Sequence, residues 1–81
     1  MDTKEKIRGF MLNEFRESGF HAGLGDGESL VESGILDSLS ILKLICFMDE
    51  QFGVVLNEDE LNPEKLNSIE AIAAFIERKR G

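Results

Sequence analysis

Gly34-Ile35-Leu36-Asp37-Ser38-Leu39-Ser40-Ile41-Leu42-Lys43-Leu44-Ile45-Cys46-Phe47-Met48-Asp49-Glu50-Gln51-Phe52-Gly53 is the stretch where a long irregular segment gives way to the most apolar helix of the chain. A helix is expected over residues 38–52. Asp37 or Ser38 serves as its cap, because short oxygen-bearing side chains satisfy the free N–H groups of a first turn, and Gly53 is its stop. On a helical wheel its apolar residues fall into two groups. Ile41, Leu44, Ile45, Met48 and Phe52 form a core stripe. Leu39, Leu42 and Cys46 form a second, narrower one beside Ser38, edged by Lys43, Asp49 and Glu50. An extra apolar stripe on a bundle helix is most simply core, covered here by the preceding loop; the other reading is a docking surface rimmed by charge. Phe47 lies on a third side, where the loop is expected to pack.

Toward the N-terminus, Asp2 and Glu5 have capping-box spacing, and Ile7, Phe10, Met11 and Phe15 recur as one face of a helix over residues 2–17. Lys4, Arg8, Glu14 and Glu17 fall on its solvated side, and Gly19 is the stop signal. Residues 18–37 hold Gly19, Gly23, Gly25, Gly27 and Gly34, which disfavours regular structure beyond one turn near residues 28–31. Phe20, Leu24, Leu30, Val31 and Ile35 can pin this loop over the bundle. No Gly-Lys-Ser/Thr follows the glycines, so it is not a phosphate cradle, and Asp26 and Glu28 lack the spacing of a calcium loop.

Toward the C-terminus, Val54-Val55-Leu56 is too short and too isolated for a sheet and is expected to be a linker dipping into the core. A turn is expected over 57–61, and Asn62-Pro63 opens a very short third helix to Lys65 or Leu66. Asn67 and Glu70 repeat the capping-box spacing, with Leu66 stapled onto Ala71. The last helix then runs to about Lys79 with Ile69, Ile72, Ala73, Phe75 and Ile76 inward. Arg78, Lys79 and Arg80 complement its dipole. The expected fold is all-α: a small four-helix bundle, three main helices plus one short one, with a long loop between helices one and two, in a single domain 1–81. The bulk of Ile41, Leu44, Met48 and Phe75 argues against a large cavity among them.

Composition narrows function further. With 81 residues, 42% hydrophobic and 31% charged, the chain can bury one modest core. A net charge of −7 disfavours nucleic acid and anionic membrane surfaces and favours basic protein partners, or serves solubility alone. One cysteine, Cys46, and one histidine, His21, cannot assemble a zinc site or an internal disulfide. With no apolar run of membrane length and no signal-like N-terminus, a reduced, cytoplasmic compartment is expected. No catalytic residue and no metal ligand is expected; the remaining enzymatic reading, Cys46 as a nucleophile, needs His21 to fold back onto helix two.

Asp37-Ser38-Leu39 at the start of a helix, after a long loop in an acidic helical domain of this size, resembles the acyl and peptidyl carrier proteins. The likeness spans the chain, including the Leu30-Val31 turn, Asp49-Glu50-Gln51-Phe52-Gly53, and the stretch from Asn62-Pro63-Glu64-Lys65-Leu66 to Ile72. The resemblance implies that Ser38 carries 4′-phosphopantetheine, added from coenzyme A by a separate phosphopantetheinyl transferase using magnesium, and that Asp37 helps position it. It implies a docking surface of Leu39, Leu42 and Cys46, with Lys43, Asp49 and Glu50 on its rim. Implied partners are the transferase, an acyl- or aminoacyl-adenylating ligase and downstream acyl-processing enzymes, served by a monomer. Two departures from fatty-acid carriers stand out. Ser40 and Lys43 replace acidic positions, and Gly34-Ile35-Leu36-Asp37-Ser38 is more similar to stand-alone carriers loaded by adenylate-forming ligases, the D-alanyl type among them. The alternative is a non-catalytic helical interaction module that binds a basic partner helix, with Ser38 only a cap.

Overall fold

The computed structural model describes residues 2–80, and among these it is all-helical, without strands. Helix α1 spans Thr3–Glu14, α2 spans Ile41–Phe52 and α3 spans Ile69–Arg80; two single-turn 3₁₀ helices, Glu58–Glu60 and Pro63–Leu66, lie between α2 and α3. The expected short third helix is thus the second 3₁₀ turn, opened by Asn62, whose Oδ1 accepts from Glu64 N at 2.9 Å ahead of Pro63. The first 3₁₀ turn falls within the turn expected over 57–61, and Asn57 N–H donates to Glu60 Oε1 at 2.8 Å across it.

Helix α1 starts as its spacing predicts, with the Asp2 carboxylate accepting from Glu5 N at 2.8 Å. It stops three residues short of the expected end. Phe15 leaves the helical region at φ −118° and turns its ring into the core, and Phe20 N–H reaches back to Phe15 C=O at 3.0 Å. Gly19, at φ +110°, closes this tight return, a conformation that L side chains rarely adopt. Helix α2 ends on Gly53 at φ +67°, where Val54 N–H bonds Met48 C=O at 3.2 Å. That bend directs Val54 into the core and leaves Val55 outside.

Buried residues come from all three helices: Ile7 and Met11 from α1, with Phe15 just past its end, Ile41, Leu44 and Met48 from α2, and Ile69, Ile72, Ala73, Phe75 and Ile76 from α3. Phe20, Leu24, Leu30, Ile35 and Leu36 from the long loop, with Val54 and Leu66 between α2 and α3, complete the cluster. The loop is therefore a wall of the core, not a mobile tether, and two polar clasps hold it. Arg8, expected on a solvated face, donates to the Asp26 carboxylate at 2.7 and 3.0 Å and to the Leu24 carbonyl, with Lys4 at 3.7 Å from Asp26. Asn67 forms the second clasp. Its Oδ1 accepts from Val31 N at 2.8 Å and from the Ser29 hydroxyl at 3.0 Å, while its carbonyl takes Leu30 N–H at 2.7 Å. Asn67 is thus not the cap of α3. Ser68 caps that helix, its hydroxyl accepting from Ala71 N at 3.0 Å.

Phe47 is also placed differently from expectation. It stacks on Phe10 of α1, ring centroids 4.1 Å apart and planes 16° from parallel, and meets Phe52 edge-on at 5.6 Å. The third side of α2 therefore faces α1 and not the loop.

Candidate functional site

The entry into α2 is built by four steps in the chain. Gly34, at φ +80°, ends the turn over residues 30–34. Ile35 and Leu36 are then buried side by side, and their N–H groups both bond Leu30 C=O, at 3.0 and 2.9 Å. These anchors fix Asp37 at the surface. Its Oδ1 accepts from Leu39 N at 2.9 Å and Ser40 N at 2.7 Å, and its carbonyl takes Ile41 N–H at 3.0 Å.

Asp37 therefore caps a tight turn over residues 38–40, in which Leu42 N–H and Lys43 N–H bond three residues back, and α2 itself begins at Ile41, three residues after the expected start. Of the two caps expected from sequence, Asp37 and Ser38, these bonds select Asp37: two N–H groups are satisfied by its carboxylate. Ser38 is exposed, and among the described residues its hydroxyl has no hydrogen-bond partner. The Ser40 N–H, the Ser40 hydroxyl and then the Leu39 N–H hold the Asp37 carboxyl below its ordinary value of 3.8, so it stays anionic at neutral pH. An exposed hydroxyl beside a helix N-terminus suits a phosphodiester anion, which the backbone N–H groups and the dipole favour.

The second stripe of α2 is not core. Leu39 is 78% and Leu42 57% exposed, Cys46 is an exposed free thiol, and Lys43, Asp49 and Glu50 around them are exposed too. The loop leaves this face uncovered; its own apolar residues Phe20, Leu24, Leu30, Ile35 and Leu36 are buried in the bundle. Two further exposed apolar residues, Val55 at 66% and Leu61 at 43%, were not anticipated; alternation along Val54-Val55 is the sequence signal for the first. Shallow grooves line the α1–α2 seam, one of about 390 Å³ bordered by Phe10, Lys43, Cys46, Phe47 and Glu50. Ile41, Leu44, Met48 and Phe75 line none of the three grooves along this seam, being packed at 0–4% exposure in the core.

His21 Nδ1 accepts from Gly23 N within its own loop at 3.1 Å, so the imidazole is engaged there and not with Cys46. Among the described residues, no group of three His, Cys, Asp or Glu side chains is placed to hold a metal, and no helix is long and apolar enough to cross a membrane.

The comparisons with known proteins agree with this geometry. No curated protein matches the chain. A chain in a crystal structure of a FAD-dependent dehydrogenase is similar, at 38% identity and a TM-score of 0.73, over 86% of this chain and 97% of that one. The family model described as phosphopantetheine attachment site matches residues 17–76, which include the loop, Asp37, Ser38 and all of α2. Domains of this kind bind 4′-phosphopantetheine covalently. With most of its length matched by that model, the chain belongs to the phosphopantetheine attachment family of carrier domains.

Proposed function

We propose that this chain is a carrier for acyl or aminoacyl groups, with Ser38 as the attachment residue. The observation that carries the reading is the division of labour at the α2 entry: Asp37 does the capping, which leaves the Ser38 hydroxyl exposed and unengaged at a helix N-terminus. In the attachment step the Ser38 oxygen attacks the β-phosphorus of coenzyme A. A new phosphoester bond forms, the pyrophosphate link breaks, adenosine 3′,5′-bisphosphate leaves, and the hydroxyl proton passes to the transferase. The attached arm supplies a terminal thiol that holds the cargo as a thioester. The chain's own residues contribute the exposed oxygen, the anchored turn that presents it, the N-terminal N–H groups and a docking face. Tethering raises the effective concentration of cargo at each enzyme the carrier meets.

The cargo is delivered by an adenylate-forming ligase in a specialised pathway; the Gly34-Ile35-Leu36-Asp37-Ser38 pattern and the exposed Lys43 support this branch over the fatty-acid one. A FAD-dependent dehydrogenase is among the enzymes served. Supporting this, the similar chain is covered to 97% by 86% of this one, so it is slightly the shorter of the two, the size of a carrier domain. A doubly wound dinucleotide-binding fold needs two βαβαβ halves, and this chain has no strand among its described residues. The dehydrogenase is then the carrier's companion.

The test is incubation with coenzyme A, magnesium and a broad-specificity phosphopantetheinyl transferase, followed by intact mass measurement. One added phosphopantetheinyl group on the wild type and none on Ser38→Ala is the expected result. No mass gain, or a gain that survives Ser38→Ala, overturns the reading and leaves the interaction module.

A further inference from the structure

Three shallow hollows on the α1–α2 seam, of about 350, 390 and 560 Å³, share residues and form one furrow. Glu14 and Lys43 belong to the first and second, and Phe10, Phe47 and Gln51 to the second and third. On α2 the wall includes Lys43, Phe47 and Gln51, an i, i+4, i+8 row that starts five residues past Ser38. At 1.5 Å per residue the row lies about 8, 14 and 20 Å beyond the serine along the helix. The furrow changes chemistry on the way. Its near end is lined by Asn13, Glu14, Arg16, Glu17 and Lys43, without an apolar residue, and its far end includes Gly9 and the stacked rings of Phe10 and Phe47. Gly9 has no reason in the fold. Glycine is, after proline, the least favourable residue inside a helix, yet here its φ is not positive and a Cβ would meet no neighbour within 4 Å. A side chain at that position would only take space from the far hollow.

We propose that this furrow holds the Ser38 arm and an apolar acyl group carried on it, the arm's amides along the polar end and the acyl chain on the Phe10–Phe47 stack beside Gly9. The reach agrees. A phosphopantetheine arm is about as long as five extended residues, about 17 Å, which brings its thiol to the ring stack and leaves the far hollow to the cargo. A concave site with aromatic walls and a few polar groups suits such an occupant, and the close-packed core offers no competing chamber. A chain of several carbons covers the rings and extends to Gly9; a short aminoacyl group stops before it. This inference rests on the carrier reading above and names the class of cargo.

The test loads the full chain from octanoyl-coenzyme A with a broad-specificity phosphopantetheinyl transferase, verifies the added group by intact mass, and compares the product by NMR with the chain carrying the arm alone. The octanoyl methyl and methylene protons shift upfield beside the two rings and show nuclear Overhauser contacts to Phe10 and Phe47. The amides of Gly9 and Gln51 move, while those of Leu44 and Phe75 do not. Gly9→Leu fills the far hollow: mass gain is kept, the melting temperature holds or rises because leucine is the better helix former, and the contacts are lost. Contacts that survive Gly9→Leu, contacts to Leu44 or Phe75 in their place, or octanoyl shifts equal to those of octanoyl-coenzyme A in solution each overturn the proposal. Glycyl cargo, loaded from glycyl-coenzyme A, leaves the Gly9 amide unmoved; a shift there as large as that from octanoyl overturns the preference for a longer chain. The two readings fail differently. No mass gain on wild type refutes the carrier function, whereas mass gain without contacts refutes only the furrow as the seat of the cargo.

Discussion

Ser38 and Asp37 are adjacent, and the hydrogen bonds assign them different work. Because the Asp37 carboxylate takes both the Leu39 and Ser40 N–H groups, Ser38→Ala removes no bond among the described residues. Its melting temperature should match wild type while mass gain with coenzyme A disappears. Asp37→Ala should do the reverse: lower the melting temperature and slow modification without abolishing it, since the hydroxyl remains but its turn frays. Thermal unfolding by circular dichroism, paired with intact mass, checks both. The same carboxylate has a pH signature. Its folded pKa lies below the ordinary value of 3.8, as does that of Asp26, which Arg8 holds down through hydrogen bonding, and Glu60 lies below 4.5 through the Asn57 N–H. Lowered folded values mean stability that is fully present above the unfolded values and lost as pH falls through the folded ones. Stability should be flat from neutral pH down to about pH 5 and fall below about pH 4, less steeply in Asp37→Asn; a denaturant midpoint measured against pH decides it.

The long loop is the element whose role changed most between sequence and structure. Its five glycines suggest mobility, yet Phe20, Leu24, Leu30, Ile35 and Leu36 are all buried. Leu30→Ala should therefore cost about 2–5 kcal/mol, the range for a fully buried leucine, whereas Leu42→Ala on the exposed face should stay within about 0.5 kcal/mol. Denaturant unfolding of the two variants provides the comparison. The Asn67 clasp gives a more local prediction. Asn67→Ala leaves the part-buried Val31 N–H and Ser29 hydroxyl without an acceptor and should cost about 1–3 kcal/mol. Amide exchange should quicken over residues 29–36 and hold in α1, because the loop opens before the bundle does.

At the scale of the molecule, three helices and a tightly packed loop leave the core full. Ile41, Leu44, Met48 and Phe75 are at 0–4% exposure, so a carried group has no internal chamber to enter without pushing close-packed side chains apart. Amide shifts of Leu44 and Phe75 should be unchanged between the phosphopantetheinylated protein and its acyl-loaded form; large shifts there would show cargo inside the bundle. The apolar surface lies instead on the outside of α2, with Val55 and Leu61 exposed farther along the chain.

Periodicity by itself determined that there are three main helices and which stripe of α2 faces inward, because a 3.6-residue repeat acts within one or two turns; the end of α1 and the start of α2 each moved by three residues. The sequence also singled out Ser38 and the second stripe. What it left open were choices among distant partners. Whether the loop covers Leu39, Leu42 and Cys46 depends on where Ile35 and Leu36 find their cavity. Asn67 leaves the capping role because two loop donors, more than thirty residues away in sequence, come within its reach. Phe47 turns to Phe10 because α1 supplies a parallel ring. Asp37 or Ser38 could each have capped α2; only the folded path of Gly34, Ile35 and Leu36 aims the carboxylate at the two N–H groups and leaves the serine hydroxyl to solvent.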